Sequence, residues 1–192
     1  ECIKVSPSVT TNYFVTGTDE KGCKNTDFIQ LTVNQLPVAT TGGNKTICYG
    51  TNATLIANEG MSTYSWATDP AGTTDVETSR LILVSPDVTT TYYLTITDLN
   101  GCTGSNYSIV NVLDLPEADF SAPSVWISDV TSFLDESSTE NGNGNIEEWY
   151  WHFGESSTTT STQKNPIHKY ANAGVYNTML VVTDNKGCID TI

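Results

Sequence analysis

The 192-residue sequence predicts an all-β protein built of small β-sandwiches in tandem, and three observations carry that expectation. A signature, Thr-Asp-x-x-Gly-Cys, closes a strand-like run at residues 18–23, 97–102 and 183–188. Cys23 and Cys102 stand 79 residues apart and Cys102 and Cys188 stand 86 apart, the length of a small sandwich rather than of a solenoid repeat. Between the copies, short runs rich in β-branched and aromatic residues alternate with Gly, Asn, Asp and Pro turns, and no segment sustains helical periodicity.

Taken from the first residue, the repeat sets the organisation. A shift of 79 places Ser85-Pro86 on Ser6-Pro7, Tyr92 on Tyr13 and Leu115-Pro116 on Leu36-Pro37 without a slip. Residues 1–35 read as the closing part of one module, as if cut from a longer array, 36–114 as a complete second module and 115–192 as a third. Each ends in a hairpin. In its turn the carboxylate of Asp19, Asp98 or Asp184 is placed to cap backbone N–H groups, and Gly22, Gly101 or Gly187 supplies the positive φ that closes a bulged loop. The middle module runs through strands near 46–48, 53–57, 64–66 and 80–84 before its hairpin, with Trp66 and Tyr92 expected in its core. Trp151 and Tyr176 are expected in the core of the last module. Leu36-Pro37 and Leu115-Pro116 mark the boundaries, because proline ends strand pairing and stiffens the connection.

Charge narrows the function. With 8 basic and 22 acidic residues the net charge is −14, which opposes nucleic-acid binding and attraction to an anionic membrane surface. No apolar run approaches the roughly 18–20 residues that span a bilayer, so no direct membrane insertion is expected and any export signal or anchor must lie elsewhere. Five cysteines, few lysines and abundant Thr, Ser and Asn suit an exported, extracellular cell-surface protein. The acidity leaves Ca²⁺ as a candidate cofactor, with Asp114, Glu117 and Asp119 as weak ligand candidates, although solvated surface is the favoured reading. No other cofactor is expected.

Nor is catalysis. The two histidines are the usual acid–base candidates near neutral pH: His152 sits between Trp151 and Phe153 in a strand pattern, His168 lies in Asn165-Pro166-Ile167-His168-Lys169-Tyr170, and neither shows zinc-ligand spacing. In the run Trp149-Tyr150-Trp151, alternation puts Trp149 and Trp151 on one face of a strand and Tyr150 on the other, where Tyr150 is a candidate ligand contact. Asn143-Gly144-Asn145 and Thr158-Thr159-Thr160-Ser161 are polar loops where recognition can reside.

The last module carries Trp149-Tyr150-Trp151-His152-Phe153-Gly154, then Asn165-Pro166-Ile167-His168-Lys169-Tyr170, then Gly174-Val175-Tyr176. This resembles the polycystic kidney disease (PKD) domain, with Glu155-Ser156 where that family usually has Asp-Gly. In the middle module, Cys48, Trp66 and Cys102 are similar to the immunoglobulin arrangement of a disulfide over a core tryptophan, though not with antibody spacing. The earlier units also resemble the immunoglobulin-like repeats of very long surface and gliding adhesins of Bacteroidetes-type bacteria, on Thr46-Ile47-Cys48-Tyr49-Gly50 and Ser85–Tyr92. These resemblances imply tandem immunoglobulin-like β-sandwiches, the last PKD-like, in an exported stalk or adhesive fibre.

Cys48 and Cys102 lie at the start and end of one sandwich, and a disulfide between them is expected. A shift of 78 puts Trp126 where the last module's first cysteine would be, so Cys188 is expected as a buried thiol, with a bond to a following module or an intermolecular crosslink as alternatives. A Cys2–Cys23 bridge is a lesser alternative. The functional expectation is a non-enzymatic structural or adhesive segment whose partners are neighbouring modules, surface glycans or further copies of itself. The alternative is a pair of accessory modules that hold carbohydrate or protein substrate for a secreted hydrolase.

Overall fold

The computed structural model describes residues 2–126, 129–139, 144–156 and 158–192, and among these residues every regular element is a β-strand. The expected fold class holds. Strand β1 (Thr11–Thr18) pairs antiparallel with β2 (Lys24–Leu31) in unbroken register, from Thr11 opposite Leu31 to Thr18 opposite Lys24. Next come β3 (Lys45–Cys48), β4 (Ala53–Ile56), β5 (Thr63–Ala67), β6 (Leu81–Val84), β7 (Thr90–Thr97) and β8 (Thr103–Leu113). They form a sheet of order β3-β8-β7-β5 and a second sheet, β4-β6.

The remaining strands are mostly short. These are β9 (Pro116–Glu117), β10 (Phe120–Ser121), β11 (Thr131–Ser132), β12 (Leu134–Asp135), β13 (Ser138–Thr139), β14 (Ile146–His152), β15 (Thr160–Ser161), β16 (Ile167–His168), β17 (Met179–Asp184) and β18 (Ile189–Thr191). They give a four-stranded sheet, β15-β14-β17-β18, and the pairs β10-β12, β11-β16 and β9-β13.

By compactness the chain divides into Glu1–Gly43, Leu55–Ile82 and Thr91–Ser108 in one unit, and Asn44–Thr54, Leu83–Thr90 and Ile109–Ile192 in the other. In the first, Leu55, Trp66, Leu94 and Ile96 are fully buried. Leu94 and Ile96 point inward from β7 while Thr95 between them is exposed, the period-two pattern of a half-buried strand. The indole Nε1–H of Trp66 donates to the Ser79 carbonyl at 3.1 Å, so its burial leaves no polar group unpaired. Gly104 has a different reason to be glycine: a Cβ there would stand 2.0 Å from the carbonyl oxygen of Pro37.

The second unit is built on β14 and β17, where Trp151 faces Leu180 and Trp149 faces Val182 across the antiparallel pair. Ala118, Phe133, Trp151, Phe153, Leu180 and Val182 form its core. Trp151 donates from Nε1 to the Gln163 carbonyl at 2.9 Å. The two tyrosines expected beside these tryptophans are only half-buried. Tyr92 is shielded enough for burial, and then the Asp75 carboxylate, to raise its phenol above 10.0. Tyr176 stacks on Tyr170 with centroids 4.0 Å apart and donates its hydroxyl to the Asn172 carbonyl, a perimeter position rather than a core one.

Candidate functional site: the closing turns, a disulfide and an aromatic cleft

The three signature turns share one backbone. Oδ1 of Asp19, Asp98 and Asp184 accepts from the N–H two residues on at 2.9, 2.8 and 2.9 Å, and from the N–H of the signature cysteine at 2.8 Å each time. The Asp N–H donates to that cysteine's carbonyl at 2.9, 2.9 and 3.0 Å. Gly22, Gly101 and Gly187 take φ of 83°, 80° and 85°, the left-handed region that costs a side-chain-bearing residue strain. What differs is burial: Asp19 is exposed, Asp98 half-buried and Asp184 buried.

The cysteines differ more. Cys188, fully buried, is bonded to Cys48 across 140 residues, with Cα atoms 5.5 Å apart. Cys2, Cys23 and Cys102 are free thiols. This corrects the expected Cys48–Cys102 bridge, the unpaired state expected for Cys188 and the Cys2–Cys23 alternative. The reason is the direction of one strand pair. β3 runs parallel to β8, with Cys48 opposite Leu113, the last residue of that strand, whereas Cys102 immediately precedes its first residue. Eleven residues of strand separate the two positions by ~36 Å, far beyond the ~7 Å that a disulfide tolerates between Cα atoms.

Trp126, the residue that sequence superposition set in the cysteine's place, is 83% exposed. It stands at the edge of an open cleft of about 620 Å³ whose walls include Phe120, Tyr170, Tyr176, Asn172 and Asn177. Among the described lining residues Asp129 is the one charged side chain. Neutral amides and hydroxyls beside aromatic faces suit an uncharged, polyhydroxylated ligand better than an anion. No motif announced the cleft, because its residues come from separate stretches near 120–131 and 170–178. Tyr150, the expected ligand contact, is 43% exposed but lies on another patch with Glu147, Glu148 and Thr162. Asn143 of the first polar loop lies outside the described residues.

The histidines are framework groups. His168 stacks flat on Phe153 with centroids 4.3 Å apart, meets Tyr170 edge-on, and its Nε2 lies 3.1 Å from Oε2 of Glu155. Oε1 of Glu155 accepts from the Ala171 N–H at 2.8 Å. The departure at Glu155 therefore ties its own turn to the His168–Ala171 segment, a role the sequence reading did not foresee. His152 accepts from the Gly154 N–H through Nδ1 at 3.3 Å. Asp114, Glu117 and Asp119 are exposed, Asp119 accepts from the Phe120 N–H, and among the described residues no three His, Cys, Asp or Glu side chains converge on a metal position.

An all-β chain of immunoglobulin-like sandwiches closed by Asx turns defines the class. Within it, residues 114–192 match the PKD domain and residues 35–116 match the Ig-like domain CHU_C associated, one following the other. A stretch of 60 residues is 38% identical to the pre-pro-metalloprotease PrtV of Vibrio cholerae, covering 31% of this chain and 6% of that protein's length. Among solved structures, the PKD1 domain of Vibrio anguillarum Epp is 29% identical over 41% of this chain and 86% of its own, with a TM-score of 0.36. The N-terminal eight Ig domains of Down syndrome cell adhesion molecule are 13% identical over 95% of this chain and 30% of theirs, with a TM-score of 0.47.

Proposed function

We propose that this segment is a non-enzymatic, structural or adhesive part of an exported cell-surface protein, a stalk or filament that presents or forms an adhesive element. The observation that carries the reading is the Cys48–Cys188 disulfide. It joins a strand in the Ig-like match to the closing turn of the PKD match, so tension along the chain passes through a covalent shortcut. The 140-residue separation makes its loop-closure contribution large, ~5 kcal/mol from chain entropy alone. Matched families made of Ig-like and PKD modules, the net charge of −14 and the absence, among the described residues, of any helix long and apolar enough to cross a membrane are all compatible with this role.

The test is single-molecule stretching between the termini, with and without reductant. Reduction is expected to add the contour of the 140-residue loop, ~480 Å at about 3.4 Å per residue. Equal extension in both conditions overturns the shortcut.

The Trp126 cleft supports a second reading, an accessory module that holds glycan for a secreted hydrolase. It moves the glycan contact from Tyr150 to Trp126. Titration with chitohexaose or cellohexaose, followed by indole fluorescence, is expected to give saturable binding that Trp126→Ala abolishes and Tyr150→Ala leaves intact. Loss through Tyr150→Ala alone returns the contact to the other patch.

A further inference from the structure

Two independent features point to the same missing piece of protein. The first is an uncovered core face on the β1-β2 hairpin. Val15 and Leu31 occupy the repeat positions of Leu94 and Val110; the latter pair are fully buried, whereas Val15 is 65% and Leu31 39% exposed. Ile29, which corresponds to the fully buried Ser108, is exposed as well, and all of β2 lies open. A strand pair with core residues at core positions and nothing over them is half of a sandwich.

The second feature is the Cys102 thiol. Its turn matches the Cys188 turn bond for bond, and the cysteine at that place in the later copy is oxidised onto the first strand of the module before it. Cys48 is the partner there, held opposite Leu113 by parallel pairing with the end of β8. One repeat earlier, the position of Leu113 is Asn34 and the end of β8 becomes residues 31–34.

We propose that β1-β2 closes a further sandwich whose other strands precede it in the parent chain, and that Cys102 is disulfide-bonded to a cysteine on the first strand of that sandwich. The inference rests on the structural reading only for its purpose, not for its chemistry. The partner cysteine lies about thirty residues before Glu1, one repeat period ahead of Cys48, beside Asn34. The occupant of the bare face is therefore the chain's own preceding strands. Bond formation removes two thiol protons and two electrons from the cysteine pair, and a disulfide-bearing oxidoreductase takes them up as its own S–S bond becomes two thiols. Repeated down an array, the staple links each module to the next by a crosslink that alternates with the main chain.

The experiment is peptide mapping of the secreted parent protein, digested without reduction after free thiols are blocked with N-ethylmaleimide. A Cys102 peptide linked to a peptide from the preceding module is expected. A blocked Cys102, or Cys102 joined to Cys2, Cys23 or a second copy, overturns the staple. Hydrogen exchange supplies the separate test of the bare face, comparing this segment with one extended by the preceding module. Amides of residues 31–34 are expected to slow at least about tenfold in the extended chain, as newly paired strand amides do. Unchanged exchange removes the docking of preceding strands. The variant Cys102→Ser is expected to lose its own link and to keep Cys48–Cys188, which separates failure here from failure of the proposed function.

Discussion

The turns at 98–102 and 184–188 have the same backbone and different fates. Both are closed by an aspartate that accepts two N–H groups, both have glycine at φ of 80–85°, and each places a cysteine at its exit. In one the thiol is free and half-buried; in the other the sulfur is buried in a disulfide that reaches back 140 residues. The local sequence thus sets the turn, while the fold decides what the cysteine meets. A covalent link is added to a turn that stands without it.

Substitutions in matched pairs break this comparison apart. The largest effect is expected at the cysteines. Cys188→Ser removes the long-loop constraint and is expected to lower the unfolding free energy by about 2–5 kcal/mol in urea melts, while Cys102→Ser in the same 192-residue segment leaves it within about 0.5 kcal/mol. A Cys102→Ser loss as large as that of Cys188→Ser contradicts the pairing.

Next come the aspartates. Asp184→Ala takes the acceptor from the N–H of exposed Lys186 and from that of buried Cys188, and the second loss is expected to make it cost about 1–3 kcal/mol, more than Asp98→Ala, whose cysteine is half-buried. The glycines are the control. A Cβ at Gly101 or Gly187 meets no atom within 4 Å, so alanine there costs only the strain of positive φ, about 1–2 kcal/mol and equal in both turns. Unequal values would show that the two backbones differ after all.

The smallest effect tests whether aspartate caps of this kind respond to acid. Asp69 loses some solvation, which raises its carboxyl, but the N–H groups of Thr73 and Thr74 outweigh this and hold it below 3.8. Because the folded value is the lower one, its stabilisation is present above 3.8 and is lost as pH falls through the depressed value. Asp69→Asn is therefore expected to flatten the acid limb of the stability curve slightly and to change nothing near neutrality. A change confined to neutral pH would contradict that sign.

Much of the fold was legible because its causes are local. Alternation in Tyr92–Thr97 and in Met179–Asp184, the absence of helical periodicity and the Asx-type turns all act within a few residues. The PKD pattern was readable for the same reason, as its tryptophan and Asn-Pro motifs are contiguous. The disulfide was not. Its geometry follows from the parallel pairing of β3 with β8, a relation between segments more than sixty residues apart that leaves no periodic mark. A first strand and a last strand suggest proximity, but parallel direction puts the end of one beside the end of the other, and Cys102 sits at the beginning. The Trp126 cleft was hidden likewise, since it is assembled from separated stretches. Tyr92 and Tyr176 show a further limit: a large aromatic in a strand pattern can cover the margin of a core without entering it.

The central claim is the linkage of Cys48 to Cys188, and it is tested most directly by non-reducing digestion and mass spectrometry of the oxidised 192-residue segment. The account predicts a crosslinked pair of peptides carrying Cys48 and Cys188, together with alkylatable Cys102. A peptide pair joining Cys48 to Cys102 would contradict the parallel register of β3 on β8 and the covalent shortcut with it.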